Sequence, residues 1–205
     1  MSIAVVLSVI LAIVVVALLA YMLAQKPVTT VQQLLQQGRY EEAAALPASD
    51  SAAHLHRAEA LKLLGRFDEA ISEYRRSEDP AAREGMALTM AHQRRDLNEA
   101  RRLMEQTVAA SPAIQEFQAL GLAYILLHAG ERDAALRMYS DNVELLETRF
   151  RDDYTDPDPL LAETLYLFAE LAAAAGESER AAMLRRKAAS WAPGSVWARQ
   201  VSASV

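Results

Sequence analysis

Two short stretches, Gly38-Arg-Tyr-Glu-Glu-Ala43 and Gly65-Arg-Phe-Asp-Glu-Ala70, line up residue for residue. Each sets a helix-ending glycine, an aromatic, acids and a small residue in the same order. Three pairs of alanines repeat a 12-residue separation: Ala58 to Ala70, Ala123 to Ala135 and Ala169 to Ala181. From residue 28 onward apolar side chains recur at three and four, without the alternation a strand needs, so the body reads as all-α. Two antiparallel helices approach to about 8 Å only where the crossing residues lack bulk. The turn between them favours a glycine that ends the first helix in a left-handed conformation. Each such hairpin leaves an apolar flank that only the next hairpin can bury, so the repeats must stack.

With that spacing the chain resembles tetratricopeptide repeat (TPR) proteins, whose unit of about 34 residues is a helix, a tight turn and a second helix. One copy carries Ala58, Leu61, Gly65, Phe67, Ala70 and Tyr74 at the pattern's positions. A later one has Ala123, Leu126, Gly130, Ala135 and Tyr139, and the last has Ala169, Ala172, Gly176, Ala181 and closing Pro193. A weaker copy uses Leu88, Ala91, Arg95, Leu97, Ala100, Met104 and closing Pro112, with Arg95 in place of the turn glycine. The resemblance implies a helix-hairpin solenoid of about four hairpins with a partial N-terminal one.

Departures from the pattern set the boundaries. Pro47 falls four residues after Ala43, where a second helix should still run, so 27–49 reads as a connector and partial repeat. Residues 50–194 are the repeat domain and 195–205 a C-terminal tail. The interval from Ala135 to Ala181 is 46 residues, against 30 and 35 for the two before it, which places an acidic insertion near 141–159. It reads either as a lengthened second helix ending in a solvated loop or as a binding loop formed by Asp152, Asp153, Tyr154, Asp156 and Asp158.

Ahead of the repeats, Ile3 to Ala24 is uncharged, with Ser8 its only clearly polar member. As a helix it would span roughly 33 Å, the thickness of a bilayer core. Residues 1–26 are therefore expected to be a single transmembrane anchor; the poor small-residue site at its end makes a cleaved signal peptide the lesser reading. Lys26 and Arg39 follow the span and no basic residue precedes it, which favours a cytoplasmic body, with a periplasmic one as the alternative. The chain has 27 acidic against 21 basic residues, a net charge of −6, which argues against nucleic acid as partner. It contains no cysteine, excluding disulfides, thiolate metal sites and cysteine nucleophiles.

No catalytic set emerges, and neither cofactor nor metal is expected. His54 and His56 would point about 200° apart on a helix, and His92 and His128 stand alone in sequence. Glu41, Glu42, Asp68, Glu69 and Glu99 read as charges that complement helix N-termini, and the arginine doublets as solvated faces. The resemblance instead implies a concave groove lined by the first helix of each unit: Leu55, Glu59, Lys62, Thr89, His92, Gln93, Phe117, Tyr124, His128, Tyr166 and Glu170. The Lys/Asn clamp of chaperone-binding members is missing, its offsets carrying Leu55, Glu59, Gly85, Thr89, Leu120 and Tyr124. The layout resembles N-anchored bacterial TPR scaffolds, without the four-cysteine knuckle of one such group. It implies an adaptor in the inner membrane that binds a membrane-associated protein and recruits or regulates a cell-envelope or secretion complex. A periplasmic chaperone near the translocon and an organelle import receptor share the layout.

Overall fold

The computed structural model describes residues 30–110, 115–152 and 156–202. The span Ile3–Ala24 therefore lies outside the described residues, as do Asp153 and Tyr154. Among the described residues no helix is long and apolar enough to cross a membrane.

Eleven helices are described, and no strand among them: α1 (Val31–Gln36), α2 (Tyr40–Ala45), α3 (Ser51–Leu63), α4 (Phe67–Tyr74), α5 (Pro80–His92), α6 (Leu97–Ala110), α7 (Gln115–His128), α8 (Arg132–Asp152), α9 (Ala162–Ala174), α10 (Ser178–Trp191) and α11 (Val196–Ser202). They pair into a short N-terminal hairpin, α1/α2, and four full ones, α3/α4, α5/α6, α7/α8 and α9/α10.

The helix starts are chemically marked. Asp50 accepts from the Ala53 amide at the head of α3, and Asp79 caps α5 ahead of Pro80, whose missing N–H costs nothing in a first turn. The ends are marked by Gly38, Gly65, Gly130 and Gly176, with φ of 72°, 79°, 88° and 88°. At each the two amides after the helix reach back to its last carbonyls, as Gly65 N–H does to Lys62 and Arg66 N–H to Leu61.

The α5/α6 turn corrects the register read from sequence. Arg94, not Arg95, takes the glycine position: its amide bonds to the Ala91 carbonyl and the Arg95 amide to Met90. Arg94 and Asp96 both have left-handed φ, 52° and 49°. One extra residue in this turn shifts the crossing position from Leu88 to Ala87, which is fully buried. The pattern missed it because the loop lengthened by one while the helices kept their faces.

The insertion before α9 begins as helix. α8 runs 21 residues, and its added turns are packed, with Leu146 and Phe150 buried and the Phe150 ring against Phe117, Phe168 and Trp191. Asp156 is exposed, and the Asp158 carboxylate accepts from the Leu160 amide, turning the chain into α9. Of the expected C-terminal tail, residues 195–202 are described and continue the fold. Gly194, at φ 80°, turns the chain back into α11, whose Trp197 is completely buried. A tryptophan hides up to about 250 Å² of largely apolar surface, which drives that return.

Candidate functional site

The crossing alanines decide how the hairpins stack. Ala58, Ala70, Ala87, Ala100, Ala123, Ala135, Ala169 and Ala181 are all buried to 1% exposure or less. They recur seven residues before each turn position and five or six after it, at a left-handed turn each time. The fold is a TPR-like solenoid. No protein-family model matches the sequence, and no curated protein does. Solved structures similar to it include MamA from MSR-1, 18% identical, covering 78% of this chain and 91% of that one with a TM-score of 0.47. MamA from AMB-1 is 19% identical over 80% of this chain and 96% of that one, with a TM-score of 0.49. A Podosopora anserina protein described as a kinesin light chain with nearly identical TPR-like repeats is 16% identical over 78% and 90%, at 0.47.

The first helices of the TPR-like hairpins, α3, α5, α7 and α9, face one another, and a polar chain joins them. Lys62 Nζ on α3 donates to Glu163 Oε2 on α9 at 2.5 Å and lies 2.8 Å from Glu59 Oε2. The Tyr74 hydroxyl donates to the other oxygen of Glu59. The remaining Glu163 oxygen sits 2.7 Å from His92 Nε2, and His92 Nδ1 lies 3.1 Å from the Tyr124 hydroxyl. A carboxylate only accepts, so His92 Nε2 donates to Glu163, and in the neutral imidazole Nδ1 accepts from the Tyr124 hydroxyl. Five helices are tied by six side chains, with Lys62 and Glu163 101 positions apart in sequence.

Charge is held firmly here. Burial opposes the Lys62 ammonium, but the Glu163 and Glu59 carboxylates overcome it and hold the group well above the ordinary lysine range. Glu163 is likewise opposed by burial, and Lys62 and His92 push it down to about 2. Burial carries the Tyr74 and Tyr124 hydroxyls well above the usual phenol range, with Glu59 adding at Tyr74 and Tyr166 at Tyr124. A buried ion pair so arranged fixes a geometry more than it adds stability.

The chain of bonds divides the groove. On one side, toward the N-terminal ends of α5, α7 and α9, a pocket of about 370 Å³ remains open. Leu55, Leu88, Phe117, Leu160 and Leu161 are its apolar walls; Glu59, Lys62 and Glu163 form its floor, with Glu84 at the side. Burial pushes the Glu84 carboxyl up, only partly offset by Gln118 and Lys62. On the other side, toward the C-terminal ends of the same helices, Trp197 from α11 fills the space, its ring 4.5 Å from His92 and 4.8 Å from Tyr166.

The residues expected in the groove thus separate. Leu55, Glu59, Lys62 and Phe117 line the open pocket. His92, Tyr124 and Tyr166 belong to the filled side, Tyr124 only 4% exposed, with His128 ring-to-ring on Tyr124 at 4.4 Å. Glu170 takes Arg185 from α10. Thr89 is not in the groove: it is fully buried, its hydroxyl on the Gly85 carbonyl. Gln93 points instead to Asp68 at the start of α4. Among the described residues no group of His, Asp and Glu could hold a metal ion.

Glu84, Leu160, Leu161, Glu163 and Trp197 were not singled out from the sequence. A signal existed for the buried pair: Lys62 is set between Leu61 and Leu63, and Glu163 lies in the run Leu160 to Phe168. A lone charge in an apolar run is either exposed on a helix face or paired inside, and only the partner's position distinguishes the two.

Proposed function

We propose that this chain is a membrane-anchored adaptor that takes a short segment of a protein partner in the open pocket of its TPR-like groove. The supporting observation is the pocket itself, with five apolar walls around a floor of carboxylates and one neutralised lysine. Stacked hairpins commonly use such concave surfaces for binding. The occupant that fits is an apolar side chain next to a hydrogen-bond donor or cation, since Lys62 is already committed to Glu59 and Glu163. A C-terminal carboxylate is disfavoured by the same charges. The anchor is residues 3–24, with the body cytoplasmic, and the partner is a component of a cell-envelope or secretion complex that shares the membrane, where tethering raises effective concentration.

A photo-crosslinking residue at Leu161 should trap a discrete partner from membranes, and one at the exposed Met183 should not. Equal adducts from both positions would overturn the pocket as the binding face. A phosphatase fused after Val205 should be inactive and a cytoplasmic fluorescent reporter active; the reverse would place the body outside.

A further inference from the structure

We infer that the filled side of the groove is a binding slot for a tryptophan-bearing helix, and that α11 is its occupant in cis, acting as a latch that can leave. α11 stands after the last of the five hairpins and packs on α10, the helix before it. It makes its distinctive contacts with helices distant in sequence: Val196 lies over Gly65, and Arg199 donates to the Leu64 carbonyl at 2.7 Å. Trp197 enters between His92 of α5 and Tyr166 of α9, and His92 in turn stacks on Phe67 and meets Tyr124. The slot is therefore built by rings from four hairpins and filled by one residue of the element that follows them.

Two features make the occupant removable. The indole Nε1 is buried with no hydrogen-bond partner among the described residues, so part of what burial contributes is cancelled by an unsatisfied donor. The connection is Pro193-Gly194, and Gly194 has left-handed φ with nothing within 4 Å of where a Cβ would lie. Rotation there would lift α11 off α10, on which it also packs, and draw Trp197 out of the slot. When α11 leaves, the slot beside His92 and Tyr166 opens on the far side of the polar chain from the pocket. This slot is independent of what the open pocket takes.

Native-state hydrogen exchange on the full chain in detergent tests the latch. Amides of α11 should exchange at least about a hundredfold faster than those of α5 and α9, through an opening that leaves the hairpins protected. A second arm uses a labelled peptide of residues 194–205 added to the Trp197→Ala chain. The peptide should bind that chain, fail to bind wild type, and fail again when Gly65→Cys and Val196→Cys are oxidised together with Trp197 intact. The cross-link suits the site, because a Cβ at Gly65 would lie 3.5 Å from that of Val196, within disulfide range. If α11 exchanges as slowly as α5 and α9, it is a core element and the proposal fails. Should Trp197→Ala unfold the chain, the exchange result on wild type decides alone.

Discussion

Glu163 shows how much one side chain can be made to do. It receives Lys62 on one oxygen and His92 on the other, so replacing it leaves an ammonium buried with only Glu59 beside it. Glu163→Gln should cost about 3 kcal/mol or more at neutral pH, read from urea denaturation. Its carboxyl is depressed on folding, to about 2. The stabilisation is therefore present above the unfolded carboxyl pKa and is lost as pH falls toward that folded value. The gap between wild type and variant should narrow between about pH 4.5 and pH 2. Glu84 has the opposite sign. Burial raises its carboxyl, so its favourable contribution is present at low pH and lost as pH rises through the folded value. Glu84→Gln should raise the melting temperature at neutral pH and lose that advantage in acid, while weakening the partner adduct at Leu161.

At the scale of helices and turns, the glycines separate into those needed for conformation and those needed for contact. Gly130 has left-handed φ and nothing within 4 Å of a built Cβ, whereas a Cβ at Gly85 would lie 2.5 Å from the Tyr74 ring. Gly130→Ala should cost about 1 kcal/mol from backbone strain alone. Gly85→Ala should cost more, about 2 kcal/mol or above, because Tyr74 is held by Glu59 and cannot retreat freely. The α5/α6 turn offers the reverse test. Arg94 adopts the glycine conformation without being glycine, so Arg94→Gly should be stabilising by several tenths of a kcal/mol or more in thermal melts. No gain would mean that its side chain compensates for the strain.

The described hairpins together depart from an open stack in which each hairpin touches only its neighbours. Lys62 with Glu163 joins the second hairpin to the fifth, and Arg199 with the Leu64 carbonyl does so again through α11. An open solenoid frays from its ends; this one should unfold in one step. Far-ultraviolet dichroism and Trp191 fluorescence in a Trp197→Phe chain should follow the same urea transition, and Lys62→Met with Glu163→Leu should separate them. Coincident curves in that double variant would show that the cross-groove pair is not what couples the repeats.

The hairpin solenoid was readable from residues because its determinants are local. Ala58 and Ala70, or Gly130 and Gly176, carry their conformational and steric requirements wherever they stand, and a fixed spacing repeats them. The extra residue at Asp96 escaped because a loop can lengthen without changing either helix's apolar face. Leu55, Glu59, Lys62 and Phe117 were expected on the groove face only through the family resemblance, and in the structure all four line one pocket. What tertiary structure alone decided was partnership across the groove. Whether Lys62 meets solvent or Glu163, and whether Trp197 hangs from a tail or closes a slot between His92 and Tyr166, depends on how tightly successive hairpins curve. Small packing angles summed over many side chains set that curvature, and no single residue reports it.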